Sequence, residues 1–230
     1  MTPSPLSVQA SCDAIEDIQS YRYVFQIERD LPDTEPPDDA TPNPLSSITE
    51  GIRELFMDSQ WEGAFVAPDR SETLVRSGGQ ELELRTIADK SWIRVGAIWQ
   101  EQDPPENNVL PALASLCADM VEELAPSLTA ATGEGDVVNG IETVHYRLSE
   151  AELKGLPELL GRSGEEGLPS EFSVDVWLER DDGWPVRLQI AASDSDEQGR
   201  PISEEWFIEF SNIDDPSIEI EPPPVSPAQT

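Results

Sequence analysis

Side chains able to do chemistry are scarce in this chain. It has one histidine, His145, and two cysteines, Cys12 and Cys117, so a zinc site of four Cys/His ligands cannot be assembled. A Ser-His-Asp triad needs a histidine buried and oriented beside its serine. His145 instead alternates with Val144 and Tyr146 and shares its parity with Thr143 and Arg147, the outward side of a strand. No Gly-x-Ser-x-Gly elbow occurs. Asp194, Asp196, Gln198, Gly199 and Glu205 follow the ligand spacing of a calcium loop. Against that, Gln198 replaces an acid or Asn, Pro201 takes the place of a β-branched residue, and the flanks read as strands, so a plain hairpin is the better reading. A general acid needs a carboxyl whose pKa is raised by burial, whereas nearly all the acids here fall on solvent-facing parity or in loops. These patterns predict no enzyme activity, no metal and no cofactor.

The acids set the chemistry of the surface. Asp+Glu total 47 and Lys+Arg 14, a formal charge of −33. Phosphate backbones and anionic headgroups are bound chiefly by Lys and Arg, so nucleic acid is excluded as a partner. Arginine outnumbers lysine 12 to 2, leaving the few cations as permanently charged forks. No run approaches about 18 apolar residues, so no transmembrane helix is expected. Met1-Thr2-Pro3-Ser4-Pro5 lacks the charged and apolar regions of a signal peptide, which leaves a cytosolic protein or a mature exported domain.

The elements that would position any site follow from periodicity. Residues 1–10 are Pro/Ser-rich and expected to be flexible; 11–19 read as a helix with Ile15 and Ile18 on one face. Tyr21, Tyr23, Phe25 and Ile27 alternate with polar residues as a strand. A Pro-rich insertion spans 31–59, within which Leu45, Ile48, Ile52, Leu55 and Phe56 have helical spacing. Strands are expected near 61–67, 72–77, 81–88, 91–95 and 97–101, then a helix over 110–124 that Pro126 ends. Asn139-Gly140 predicts a tight hairpin. A helix is expected over 149–162, and three long strands around 172–178, 186–190 and 206–210 close the fold, before a Pro-rich tail, 221–230, expected to be disordered. Together these predict a single α+β domain over 11–220: one antiparallel sheet of roughly nine strands, solvated on its outer face, with two or three helices on the other.

Several segments resemble the bacterial lipoprotein-carrier superfamily, the LolA-like and LppX/LprG-like proteins. They are Ser20-Tyr21-Arg22-Tyr23 after a short helix; Gly63-Ala64-Phe65-Val66-Ala67-Pro68-Asp69-Arg70; Ile87 leading to Lys90-Ser91-Trp92; Asn139 to Tyr146; and Val174-Asp175-Val176-Trp177-Leu178 followed by Gly183-Trp184-Pro185-Val186-Arg187. Their order covers the chain from about Asp13 to Pro222. The resemblance implies a strongly curved half-barrel with helices on its concave face and an apolar cavity between them. It also implies an extracytoplasmic, lipid-anchored protein. The lipobox is missing, the 31–59 insertion is long, and the surface is far more acidic than the family's.

Phe25, Phe65, Trp92, Trp99, Tyr146, Trp206 and Phe210 exceed the bulk of a minimal core, and either core packing or a ligand cavity would use them. The resemblance tilts the choice to binding of a lipid or other apolar molecule. The expected lining is the inward-parity set Phe25, Phe65, Leu84, Tyr146, Val174, Val176, Leu188 and Ile208, with Arg22 or Arg94 at the rim. The alternative is a cell-surface interaction or structural module with a filled core. A monomer is expected, with membrane association only through a lipid anchor not carried on this chain. Cys12 and Cys117 sit on helices that would pack on one sheet face, and an even cysteine count in an exported chain favours a disulfide; two separate thiols are the alternative.

Overall fold

The structure is a computed structural model that describes residues 15, 17–30, 59–103, 122–149, 171–195 and 198–224. Alternating sequence becomes strand throughout: β1 (Ser20–Asp30), β2 (Ser59–Val66), β3 (Arg70–Ser77), β4 (Gln80–Ile87), β5 (Lys90–Val95) and β6 (Ile98–Gln102). After helix α1 (Glu122–Ala130) come β7 (Glu134–Val138), β8 (Ile141–Ser149), β9 (Glu171–Glu179), β10 (Pro185–Ser195) and β11 (Pro201–Ser211). All eleven form one sheet in the order β6-β5-β4-β3-β2-β1-β11-β10-β9-β8-β7, and every pairing is antiparallel. Tight turns join most neighbours. At the β7–β8 turn both Asn139 (φ 53°) and Gly140 (φ 82°) are left-handed, as the mirror-image hairpin turn requires.

This corrects the expected α+β half-barrel of roughly nine strands and two or three helices. The sheet is open, has eleven strands, and is accompanied by only one short helix among the described residues. The edges β6 and β7 answer to the strand expected near 97–101 and to the first arm of the expected Asn139-Gly140 hairpin, so the total of roughly nine undercounted segments that periodicity and turn chemistry mark. Both edges are five residues long and bear acids, which blunts the unpaired rims of the sheet, and their Ile98 and Val137 are 62% and 61% exposed. Of the expected 110–124 helix, 110–121 lie outside the described residues, and from Glu122 the helix continues through Pro126 to Ala130. Proline removes only its own N–H, which would have met the Glu122 carbonyl, while Ala131 N–H still donates to Ser127 O at 2.9 Å. The expected 149–162 helix cannot begin at Ser149, which ends β8; 150–170, 31–58, and both Cys12 and Cys117 lie outside the described residues.

The order of strands explains how the main core is covered. β1 is central, flanked by β2 of one meander and β11 of the other, so the two meanders end at opposite edges. The connection from β6 to β7 therefore crosses the whole sheet, roughly 48 Å if it were flat. Helix α1 lies on that path, and its Leu124 and Leu128, one turn apart, are buried with Val144, Tyr146 and Leu148 of β8. Ile15 and Ile18 join the same core. A smaller core occupies the second face, where residues 212–224 run across it: Ile218 and Ile220 pack with Ala64, Val66 and Ile87. Asp214 ties this segment to the chain start, its carboxylate accepting Gln19 N–H at 2.6 Å and its own N–H donating to Ser20 O at 2.8 Å. The second face is thus partly covered, not simply solvated.

Candidate functional site

Pairing register arranges the covered face in rows that run across the strands. One row is apolar throughout: Tyr146, Val176, Leu188, Ile208, Phe25, Trp61, Val75 and Leu82. Within it Phe25 meets Trp61 edge-on at 6.1 Å between ring centres, and meets Trp206 of the adjacent row at the same distance. The next row towards the end of β1 is Leu148, Val174, Ile190, Trp206, Ile27, Ser59 and Ser77. The row beyond that is Phe172, Ala192, Glu204 and Arg29. The face therefore grades from apolar to hydroxyl-bearing to charged within three rows.

A cavity of about 890 Å3 lies at this end of the strands and draws its lining from both faces of the sheet. Ile27, Phe172 and Ala192 form its apolar floor, with Ser59, Ser77, Ser173, Ser193 and Ser203 around them. Arg29 and Glu204 also line it and form an ion pair of 2.7 Å, both side chains about a quarter exposed. Glu204 further accepts the Trp206 indole N–H, and Ser59 accepts that of Trp61 at 2.9 Å. Ligand sites of roughly 300–1,000 Å3 are typical, with a mainly apolar lining and a few fixed polar groups. This cavity has that volume, but its lining is mostly polar and charged, with Ile27, Phe172, Ala191 and Ala192 as its apolar part.

All eight expected lining residues lie on the covered face, as their parity predicts. The structure brings Tyr146, Val176, Leu188, Ile208 and Phe25 into the single apolar row, puts Val174 in the row beside it, and sets Leu84 and Phe65 farther from the cavity. None of them lines the cavity. They back it, and Val174 and Val176 are fully buried in packed core. The lining residues missed by that expectation left one signal: Arg29 and Glu204 carry charge at positions whose parity points to the core side. The expected rim residues are displaced to the other face, where Arg94 pairs with Glu83 at 2.5 Å and Arg22 borders a separate groove of about 400 Å3.

Beyond this groove, the second face holds the remaining candidates for chemistry. His145 stacks flat on Trp177 at 4.2 Å, and Arg187 covers the same indole at 5.2 Å. The His145 Nε2 lies 2.7 Å from Asp175 Oδ1, to which Arg147 also donates at 2.9 Å. No serine is bonded to His145 among the described residues. Trp177 donates its indole N–H to Asp136 at 2.9 Å, which with the Val137 N–H holds the Asp136 carboxyl below the usual carboxylate range. Trp92 and Trp99 also stand on this face; Trp99 lies against the Arg85 and Arg94 guanidiniums. The aromatic set is thus divided between the faces. Within 194–205, β10 and β11 pair as far as Ser195 and Pro201, Asp196 lies outside the described residues, and no metal cluster occurs among the described residues.

The tyrosines of the covered face are locked by burial. Gly63 faces Tyr23 across β1 and β2, and a Cβ at Gly63 would lie 2.5 Å from the ring. The phenol hydroxyl shares a 2.6 Å hydrogen bond with Thr73 Oγ1. Burial raises the Tyr23 phenol well above its ordinary range, against the lowering effect of the Thr73 bond, and also raises Tyr146.

No protein-family model matches this chain, and no curated protein is similar to it. Among solved structures, LprF from Mycobacterium bovis is similar with 15% identity over 98% of this chain and 100% of that one, at a TM-score of 0.49. The Pseudomonas aeruginosa MucA/MucB complex is similar with 13% identity over 89% of this chain and 56% of that one, at a TM-score of 0.32. Likeness of this degree assigns no ligand. The arguments for function rest on the chain's own geometry.

Proposed function

We propose that this protein binds a small amphiphilic or apolar molecule, such as a lipid, in the cavity at this end of the strands, and performs no reaction on it. The observation that carries this reading is the cavity of about 890 Å3 whose floor is Ile27, Phe172 and Ala192 and whose margin is charged. Each CH2 withdrawn from water onto that floor contributes about 0.8 kcal/mol, so a tail of moderate length binds without a specific polar contact. Phe25, Phe65, Leu84, Tyr146, Val174, Val176, Leu188 and Ile208 then serve as the packed backing that holds the floor. Transport outside the cytoplasm is the setting we favour, as among the lipoprotein carriers that the sequence resembles; among the described residues no helix is long and apolar enough to cross a membrane.

The test is saturable binding of a fluorescent fatty-chain probe, repeated with Ala192→Trp. Trp at 192 fills the floor while its position at the margin leaves room for the chain to relax, so binding should fall at least tenfold with little change in unfolding midpoint. Unchanged affinity in that variant would refute the cavity as the site. A second reading, a structural or interaction module with a filled core, is favoured by the complete burial of Val174, Val176 and Leu148. Native mass spectrometry separates the two: co-purified lipid supports binding, and a bare mass with no probe uptake supports the module.

A further inference from the structure

We infer that the β4–β5 region of the second face is a docking site for an extended, proline-rich segment of a partner protein, which the chain's own residues 212–224 occupy as a stand-in. This strap crosses the second face from β1 towards β5. Asp214 is tied to Ser20 on β1, and Ile218 and Ile220 pack with Ala64 and Val66 of β2 and Ile87 of β4. The Glu221 carbonyl then accepts from Arg85 Nη1 on β4 at 2.7 Å. Pro222, Pro223 and Pro224 follow; residues 218–224 belong to no helix or strand, and of the three prolines only Pro223 is buried. Arg85 and Trp92 are direct partners across β4 and β5, so Trp92 stands one strand further along the strap's path, about 4.8 Å. Two residues of polyproline helix advance about 6 Å, enough to carry the chain from Glu221 to the level of Trp92.

The donors left over at this place point to a ligand. Trp92 is 4% exposed, and its indole N–H has no acceptor among the described residues. The buried Nε–H of Arg85 has none either, although Nη1 and Nη2 are both bonded. A buried donor without an acceptor is a standing cost to the fold. Proline-rich chains suit such donors: proline has a carbonyl but no N–H, and the polyproline helix leaves its carbonyls free of internal bonds. Aromatic-lined grooves recognise such chains because they are already extended before binding. Trp99, held against the Arg85 and Arg94 guanidiniums at 5.1 and 5.7 Å, continues the aromatic surface onto β6. The strap offers one carbonyl to Arg85 and leaves two donors unused. A partner whose carbonyls also meet Trp92 Nε1 and Arg85 Nε makes contacts that the strap does not, while the strap has the advantage of its tether.

A labelled peptide, Ile-Glu followed by six prolines, tests this on the full chain. A tethered competitor acts at an effective concentration in the mM range, so the parent should bind the peptide weakly. Ile220→Ser, which removes a buried anchor of the strap, should bind it at least tenfold more tightly. Adding Trp92→Phe, which keeps an aromatic ring but not the N–H, should take back at least fivefold, and a peptide with glycine and serine in place of the prolines should not bind. In the parent, millimolar peptide should move one of the six indole N–H resonances downfield, the one that Trp92→Phe removes. Ala192→Trp should leave peptide binding unchanged, which separates this site from the cavity. No gain in Ile220→Ser together with an unmoved Trp92 resonance overturns the proposal, and so does peptide binding that Trp92→Phe leaves unaffected. Should Ile220→Ser fail to fold, the Trp92 resonance of the parent decides alone.

Discussion

Replacing Gly63 with alanine adds one methyl where the structure has no room for it. The new Cβ would lie 2.4 Å from the backbone oxygen of Glu72 on β3 and 2.5 Å from the Tyr23 ring on β1. Ordinary contact begins near 3.4 Å, so each neighbour must retreat by about 1 Å. Neither is free to do so: the Glu72 carbonyl belongs to the β2–β3 ladder, and the Tyr23 hydroxyl is tethered to Thr73 at 2.6 Å. Overpacking of this kind costs about 1–3 kcal/mol, and alanine returns only roughly 0.5–1 kcal/mol through the lower backbone entropy of the unfolded chain. A net loss of about 1–2 kcal/mol is expected, read as a lower urea midpoint at unchanged m-value. Tyr23→Ala removes the ring but not the carbonyl, so adding Gly63→Ala to it should cost about 1 kcal/mol less than it does in the parent. An alanine variant as stable as the parent would show that the two strands do not pack as described. A cost equal in both backgrounds would show that the ring has no part in it.

Four further outcomes are expected. Thr73→Val leaves the buried Tyr23 hydroxyl without its partner and should cost about 1–3 kcal/mol in urea unfolding. The Tyr23 phenol ionises at a higher pH when folded than when unfolded; its contribution is therefore fully present below pH ~10 and is lost as pH rises further, at about 1.4 kcal/mol per unit. Urea midpoints measured across that range should fall less steeply in Tyr23→Phe. Val174→Trp puts a large ring into fully packed core and should lower stability by several kcal/mol, whereas Ala192→Trp at the cavity should not. Millimolar calcium, corrected for ionic strength, should leave Tm unchanged, since 194–205 is flanked by the paired strands β10 and β11 instead of the helices of a calcium loop; a saturable rise would contradict it.

Much of the strand order was readable because one-sided burial imposes a period of two. Leu82 and Leu84 alternate with Glu81, Glu83 and Arg85, and the structure puts the two sets on opposite faces. His145 falls on the outward side for the same reason. Asn139-Gly140 marked its hairpin through backbone conformation alone. Parity cannot tell, however, whether an outward residue meets water. Glu83 and Arg85 are mutually paired at 3.0 Å and largely shielded, and Trp92 is buried on the second face beside residues that look solvated in sequence. The C-terminal extent of the helix was misjudged because Pro126 removes a single hydrogen bond, while Leu124 and Leu128 on either side of it are both buried in the core. The expected lining stands in the packed rows, and the opening lies beside it. Bulk marks where the core is dense, whereas an opening forms where bulk gives way to small and charged residues such as Ala192, Ser59 and Arg29.

That last distinction bears on why the cavity persists instead of closing. An apolar floor next to a filled core would ordinarily be covered by collapse, because burial is non-directional and favours any arrangement that removes area from water. The Arg29–Glu204 pair stands in the way. It occupies core-side parity on the central strand β1 and its neighbour β11, yet retains about a quarter of its exposure. Driving it into a closed interior would strip water from two charges, at a penalty that their mutual attraction rarely covers. The favourable compromise keeps the pair hydrated and the adjoining floor accessible. Replacing both residues with methionine removes that penalty while roughly keeping the volume. The double variant should be at least as stable as the parent, and should lose probe binding as the apolar end closes over itself. Removing Arg29 alone leaves Glu204 unpaired beside Trp206 and should destabilise the fold while leaving the cavity open. If the double variant instead binds the probe as well as the parent does, the pair is not what keeps the site from filling, and the shape of the opening must come from the strand ends themselves.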